Sequence, residues 1–314
     1  EGNFGGPCIP GGGKQRHDPV KRWGICPICG KGFIDDICSG DEYTPGQKTS
    51  VGGEYMQMDY INKVFSLEGK KAIITGGTQG IGRAIAMSLA KLGADVTVLG
   101  RNKKYLEEVK NELDGLGVKG AAYEIDVSVQ SQVEDFFDIY EKETGRLDIY
   151  VNNAAFTIRK RAMETTQEEM DALYATNVKG ALFGLKRAGE IMKRQKDGNI
   201  VIITSVNALN PLPPQAVYTS TKCALEGLMR CLAADLSPYG VRVNTCAPGA
   251  VLTNMNPDLA DAKELAETEQ MIPLKKVGAP EDIGDVVACM VSDAFRYMTG
   301  ATVLVDGGLM LRVC

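Results

Sequence analysis

From Phe65 onward, short apolar runs rich in Ile and Val alternate with longer stretches in which apolar positions recur every three or four residues. The short runs suit strands buried on both faces, and the longer stretches suit amphipathic helices laid over them. The pattern predicts strands near 71–75, 95–99, 119–124, 148–151, 199–204, 241–246 and 301–305. Helices are predicted near 81–92, 102–114, 129–143, 166–194, 216–236 and 281–293. Strand and helix in alternation indicate repeated βαβ units, hence an α/β fold: one doubly wound domain around a seven-stranded parallel sheet with right-handed crossovers.

The first 53 residues break this pattern. They hold 13 of the 36 glycines, 5 of the 13 prolines, 4 of the 9 cysteines, the sole Trp23 and the sole His17, with almost no apolar periodicity. Such a segment cannot build its own core. The expected division is an irregular extension over 1–60 and the α/β domain over 61–314. Within the extension, Cys26-Pro27-Ile28-Cys29-Gly30 has the form of a zinc knuckle, with Cys8, His17 and Cys38 as further ligands. A metal-free arm pinned by Trp23 and Phe33 is the other reading.

The charge balance, 35 basic against 40 acidic residues, leaves −5 and gives no positive field for nucleic acid or acidic membranes. No apolar stretch approaches the roughly 20 residues that span a bilayer. The opening Glu1 to Gly6 shows neither a basic nor an apolar leader region, and the nine cysteines form no regular framework, so a reducing cytoplasm is expected. A single histidine, outside the α/β region, excludes Ser-His-Asp, Cys-His and multi-histidine metal chemistry there. Cys223, Cys231, Cys246 and Cys289 read as small buried apolar residues.

The first predicted strand, Lys71 to Thr75, runs into Gly76-Gly77-Thr78-Gln79-Gly80-Ile81-Gly82 and then a helix. A glycine turn between strand and helix lets the backbone approach a pyrophosphate, which the unpaired N–H groups of the helix start can hold. Asp126 and Val127, after the third strand, would lie over an adenine. The second strand ends in Gly100-Arg101-Asn102 with no carboxylate for a ribose, and Arg101 tilts the site toward a 2′-phosphate. Gln79 stands where a second basic residue would strengthen that reading, so NAD(H) and NADP(H) both stay open.

Tyr218 and Lys222 open a predicted helix four residues apart, on one face, and Ser205 precedes Tyr218 by thirteen residues at a strand end. Asn177 lies in the long helix predicted from Thr166, Asn152-Asn153-Ala154-Ala155 follow the fourth strand, and Pro248-Gly249 follow the sixth. In this order, over about residues 67–310, these motifs resemble the short-chain dehydrogenase/reductase family. The resemblance implies a Rossmann-type domain and a nicotinamide-dependent carbonyl reductase or alcohol dehydrogenase. It implies Tyr218 as acid or base, Lys222 lowering its pKa and holding the nicotinamide ribose, Ser205 fixing the carbonyl oxygen, and Asn177 ordering a water. Gly76, Thr78, Gln79, Gly80, Ile81, Gly82, Arg101, Asp126, Val127, Asn153, Ala154, Pro248, Gly249, Val251 and Thr253, with Tyr218 and Lys222, would contact cofactor. A homodimer or homotetramer, formed through helices and final strands, is likewise implied.

The substrate side would be built by 156–159, 206–214 and 254–271, where Leu209, Pro211, Leu212, Pro213, Pro214, Met255 and Met271 favour a bulky apolar ketone. Residues 254–276 look like a short lid helix. The extension is similar to that of bacterial 20β-hydroxysteroid dehydrogenases, which implies a steroid ketone. The competing readings are a 3-oxoacyl carrier-protein reductase, steered by Arg159, Lys160 and Arg161, and a dinucleotide sensor or scaffold without turnover.

Overall fold

Ile73 and Ile74, neighbours in the first strand, are both fully buried, because successive strand side chains point to opposite faces and both faces here are covered. The structure, a computed structural model, describes residues 53–311. Its strands are β1 (Lys71–Thr75), β2 (Asp95–Gly100), β3 (Gly120–Glu124), β4 (Ile149–Asn152), β5 (Gly198–Ile203), β6 (Val241–Pro248) and β7 (Thr302–Val305). All pair in parallel, in the order β3-β2-β1-β4-β5-β6-β7. The order reverses between β1 and β4, where the carboxyl ends diverge and leave the crevice in which such sheets bind ligands.

Helices α1 (Gly53–Phe65), α2 (Gly80–Lys91), α3 (Lys103–Gly115) and α4 (Gln130–Thr144) precede α5 (Gln167–Tyr174) and α6 (Ala181–Gln195). Then come α7 (Ala216–Leu236), α8 (Ala262–Met271) and α9 (Pro280–Val291). On one face Ile74, Val96 and Val98 pack with Ile85 and Leu89 of α2, Val109 of α3 and Val287 of α9. On the other, Ile73 and Tyr150 pack with Phe137 of α4, Leu185 and Met192 of α6 and Met229 of α7. At roughly 2 kcal/mol per fully buried large apolar side chain, these two layers hold the sheet ends in place.

The long helix expected over 166–194 is not continuous. A capping box between Thr166 and Glu169 starts α5, and a π turn over Ala175–Gly180 separates it from α6. Periodicity does not show this wide turn, because α5 buries only Leu173 and offers too short an apolar face to reveal a change of phase. Residues 53–60, assigned by composition to the irregular extension, belong instead to α1, whose end is anchored by buried Val64 and, beyond it, Leu67. The zinc-knuckle residues Cys8, His17, Cys26, Cys29 and Cys38 lie outside the described residues, as do Trp23 and Phe33. Among the described residues, no helix is long and apolar enough to cross a membrane, and no cluster of metal-ligating side chains occurs. Cys246 is buried, with its thiol pushed up to about 12 by burial, whereas Cys223 and Cys231 are exposed, against the sequence reading. Both sit on α7, where helical spacing turns them off the packed face.

Candidate active site

The carboxyl ends of β1, β4, β5 and β6 open into one cavity of about 1210 Å³. At its floor the β1–α2 turn is packed too tightly for side chains. A Cβ on Gly82 would meet the Gly76 carbonyl oxygen at 2.2 Å, and one on Gly76, whose φ is +64°, would meet Ala154 Cα at 2.9 Å. Asn153 locks this turn to β4: its Nδ2 donates to the carbonyls of Thr75 at 3.0 Å and Gly76 at 3.1 Å. Thr75 Oγ1 accepts from the backbone N–H groups of Asn153 and Ala154, both at 3.0 Å.

The start of α2 is uncapped. Gln79 holds the N-cap position without a side-chain bond, whereas Asn102, Thr166 and Asp261 cap α3, α5 and α8. Its first N–H groups and the positive dipole end therefore face the cavity without a partner from the cap, as a phosphate requires. Every residue expected to touch a dinucleotide lines this cavity: Gly76, Thr78, Gln79, Gly80, Ile81, Gly82, Arg101, Asp126, Val127, Asn153, Ala154, Pro248, Gly249, Val251 and Thr253. Thr253 lies over the loop, 3.2 Å from where a Gly80 Cβ would be. At the far end the exposed Arg101 guanidinium stands 3.7 Å from Asp126. Burial pushes the Asp126 carboxyl up, but hydrogen bonds from Ser128 and the Arg101 charge outweigh it and hold the pKa below the ordinary value. A nicotinamide dinucleotide fits this crevice on its own geometry: a side-chain-free cradle, an uncapped helix start and a cation at the ribose end.

Ser205, Tyr218 and Lys222 line the same cavity, Ser205 just beyond β5 and the other two in the first turns of α7. Lys222 Nζ donates to the Ile203 carbonyl at 2.8 Å and lies 5.5 Å from the centre of the Tyr218 ring. Burial dominates both titrations. It pushes the Tyr218 phenol up to about 12, opposed in part by the Ser205 hydroxyl, and Lys222 down to about 8. A phenol so placed stays protonated at neutral pH and can donate.

Asn177 sits apart. It is fully buried in the π turn, and it is Thr176 that lines the cavity. Its Oδ1 accepts from the Phe156 N–H at 3.1 Å, and its Nδ2 donates to the Phe156 carbonyl at 3.0 Å and to Thr221 Oγ1 at 3.2 Å. Its side chain thus ties the loop after β4 to α7.

Toward solvent Phe156, Leu212, Pro214, Met255, Leu259 and Met271, joined by Leu309 and Met310, give the wall an apolar stretch, bordered by Arg159, Asn210, Asn254, Asp258 and Glu264. Of the residues expected here, Leu209, Pro211 and Pro213 stay outside the cavity, and Ile158 with them. Leu309 and Met310 follow β7, far from the other wall segments in sequence, and no local motif announced them. The segment 254–276 does contain a short helix, α8, none of whose residues is buried; Glu264, Thr268 and Met271 face the cavity. Arg159 bridges to this segment through Asp258 at 2.6 Å and Asn256 at 2.8 Å.

A buried carboxyl also went unmarked by any motif. Glu226, one helical turn beyond Lys222, accepts from Thr204 Oγ1 at 2.7 Å, Thr302 Oγ1 at 2.7 Å and Thr245 Oγ1 at 3.2 Å. It therefore joins the residue that follows β5 to the middle of β6 and the start of β7, next to Ser205.

Comparison with known proteins agrees with this geometry. Residues 76–310 match the family described as enoyl-(acyl carrier protein) reductase. The chain is 35% identical over 243 residues to a 3-oxoacyl-(acyl-carrier-protein) reductase of Staphylococcus epidermidis, covering 77% of this chain and 99% of that one. It is 34% identical over 250 residues to an L-rhamnose 1-dehydrogenase of a Sphingomonas species, covering 79% and 98%. A short-chain type dehydrogenase/reductase from Mycobacterium marinum superposes with a TM-score of 0.74 at 33% identity, over 79% of this chain and 98% of that structure. With its glycine cradle, its parallel sheet and Ser205, Tyr218 and Lys222 in one cavity, the chain belongs to the short-chain dehydrogenase/reductase family of NAD(P)-dependent oxidoreductases.

Proposed function

We propose that this protein interconverts a ketone and a secondary alcohol on a bulky apolar substrate, with Tyr218, Ser205 and Lys222 as its catalytic residues. The observation that carries this reading is a single cavity in which the phosphate cradle, those three side chains and an apolar outer wall are continuous. The bound dinucleotide supplies the hydride in reduction and accepts it in oxidation. As charge grows on the carbonyl oxygen, the Tyr218 hydroxyl donates its proton there and the Ser205 hydroxyl holds the same oxygen by a hydrogen bond. Lys222, anchored on the Ile203 carbonyl, places a cation beside the phenol and would hold the ribose of the bound dinucleotide. Asn177 acts through Phe156 and Thr221, as a positioning residue.

We favour NADP(H) because the exposed Arg101 borders the ribose end where a carboxylate would select NAD(H). A cortisol-type steroid, reduced at the side-chain ketone, is the specific substrate that the apolar wall suggests. The second reading, an acyl-carrier-protein ketone, has the staphylococcal relative in its favour. Against it, Arg159 and Lys160 are already paired, with Asp258 at 2.6 Å and Glu169 at 2.5 Å, which weakens them as a patch for an acidic carrier. A homodimer or homotetramer is supported by the edge strand β7, where Leu304 lies open to solvent.

The test follows absorbance loss of NADH and NADPH separately with cortisol, a 3-ketosteroid, a 17-ketosteroid and an acetoacetyl thioester. Side-chain reduction of cortisol supports the steroid reading, and thioester turnover alone supports the carrier-protein one. Loss of turnover in Tyr218→Phe with cofactor binding retained excludes a sensor that binds without reacting.

A further inference from the structure

Two buried amides bracket the reacting centre without belonging to it. Asn207 stands two residues after Ser205, and its backbone N–H donates to the Ser205 hydroxyl at 3.1 Å. Gln215 is the residue before α7, three before Tyr218. They are only 5% and 8% exposed, both line the cavity, and Asn207 Nδ2 donates to Gln215 Oε1.

An amide offers one oxygen with two lone pairs and two N–H donors, and one shared bond uses little of that. Among the described residues, Asn207 Oδ1 and Gln215 Nε2 have no side-chain partner. Turning both amides over leaves the same remainder, an acceptor on one and donors on the other. Thr157 adds a third such group. It lies in the loop whose Lys160 bridges to Gln215, it lines the cavity, and its Oγ1 is buried with no partner. The two amide atoms open onto the cavity and the Thr157 hydroxyl is buried, so a ligand that covered them without pairing them would forfeit about 1–3 kcal/mol each, and their concentration beside the reacting centre points to one that pairs them.

We propose that Asn207 and Gln215 are specificity-determining residues that bind an oxygen substituent next to the carbonyl, so that the site selects α-hydroxy ketones and, in reverse, vicinal diols. This rests on the ketone–alcohol reading above and narrows its substrate class. A hydroxyl can donate to Asn207 Oδ1 and accept from Gln215 Nε2 at once. A plain ketone leaves both unpaired, and sites built to pair a substrate hydroxyl strongly reject analogues that lack it. The hydroxyl is unchanged by the reaction: NAD(P)H gives hydride to the carbonyl carbon, a proton goes to its oxygen, and NAD(P)⁺ and the diol leave.

The experiment compares kcat/KM for 2-hydroxyacetophenone and acetophenone in the wild-type protein, Gln215→Met and Asn207→Leu. The wild type should prefer the hydroxy ketone by about a hundredfold or more, and each variant should lose at least tenfold of that preference while still reducing acetophenone, which shows the variant folded. Equal turnover of the two ketones by the wild type, or an unchanged ratio in the variants, overturns the proposal and leaves the reductase reading standing. Where a variant does not fold, Gln215→Glu keeps the volume, removes the donors and must shift the same ratio. Turnover of neither these ketones nor the four substrates above overturns the reductase reading itself.

Discussion

Replacing Glu226 by Ala should cost stability through hydroxyls left without an acceptor. Three threonines point their Oγ1 atoms at this carboxyl. After truncation, Thr204 keeps the Cys246 carbonyl at 3.3 Å and Thr245 keeps Thr302 Oγ1 at 2.9 Å, but the Thr302 proton loses its acceptor. One hydroxyl is thus stranded and another is left with a long bond, at about 1–3 kcal/mol each. A small cavity adds to this, for a total of about 3–5 kcal/mol. In a domain of this size each kcal/mol lowers Tm by about 2–4 °C, so thermal unfolding followed by near-ultraviolet circular dichroism should fall by roughly 10 °C. Glu226→Gln separates bonding from volume: it fills the space but turns one acceptor into a donor, and about 1–2 kcal/mol should be lost. A change below about 2 °C in Glu226→Ala would refute the reasoning, and a stable Gln variant beside an unstable Ala variant would assign the effect to packing instead.

Three other outcomes are expected. Gly82→Ala places a methyl against the Gly76 carbonyl, so dinucleotide binding measured by NADPH fluorescence should be lost or the chain destabilised; normal affinity at normal Tm would contradict the cradle. Lys222 has a folded pKa of about 8 against about 10.5 unfolded, so between those values the unfolded chain holds the extra proton and wild-type stability rises with pH. The stability of Lys222→Met relative to wild type should therefore shrink from pH 7 to pH 10, by up to about 3 kcal/mol, and a flat difference in Tm would exclude the burial effect. Arg101→Ala should raise KM for NADPH about ten- to hundredfold with little change for NADH, since it removes a charged hydrogen-bond donor from the phosphate; equal change for both cofactors would deny Arg101 that role.

Much of the fold was legible because a parallel sheet buried on both faces writes itself as Ile- and Val-rich runs. The runs around Ile73 and Val98 predict β1 and β2 to within a residue. The cradle and Ser205, Tyr218 and Lys222 were legible for another reason: each owes its place to a strand end or a helix start that the same runs locate. Asn177 was found but its partners Phe156 and Thr221 were not, because tertiary packing sets them. Glu226, Asn207 and Gln215 carried no motif, and their meaning lies in partners brought together by folding. Leu309 and Met310 join the wall only because β7 ends beside β6.

The wide turn at Ala175–Gly180 acts as a change of phase in a screw. A regular helix advances about 100° per residue, so one residue absorbed without a matching rise swings all that follows by about that angle. Before the turn the thread directs Tyr174 to Ser220, and within it Asn177 to Thr221, both on α7; after it, Leu185, Ala188 and Met192 seat against the sheet. Substitutions along this stretch leave the phase intact. Loss or gain of one residue does not, because it would realign one half of the helix only by turning the other away from what it holds. Length, more than composition, is therefore what this segment must keep as sequences of this kind diverge.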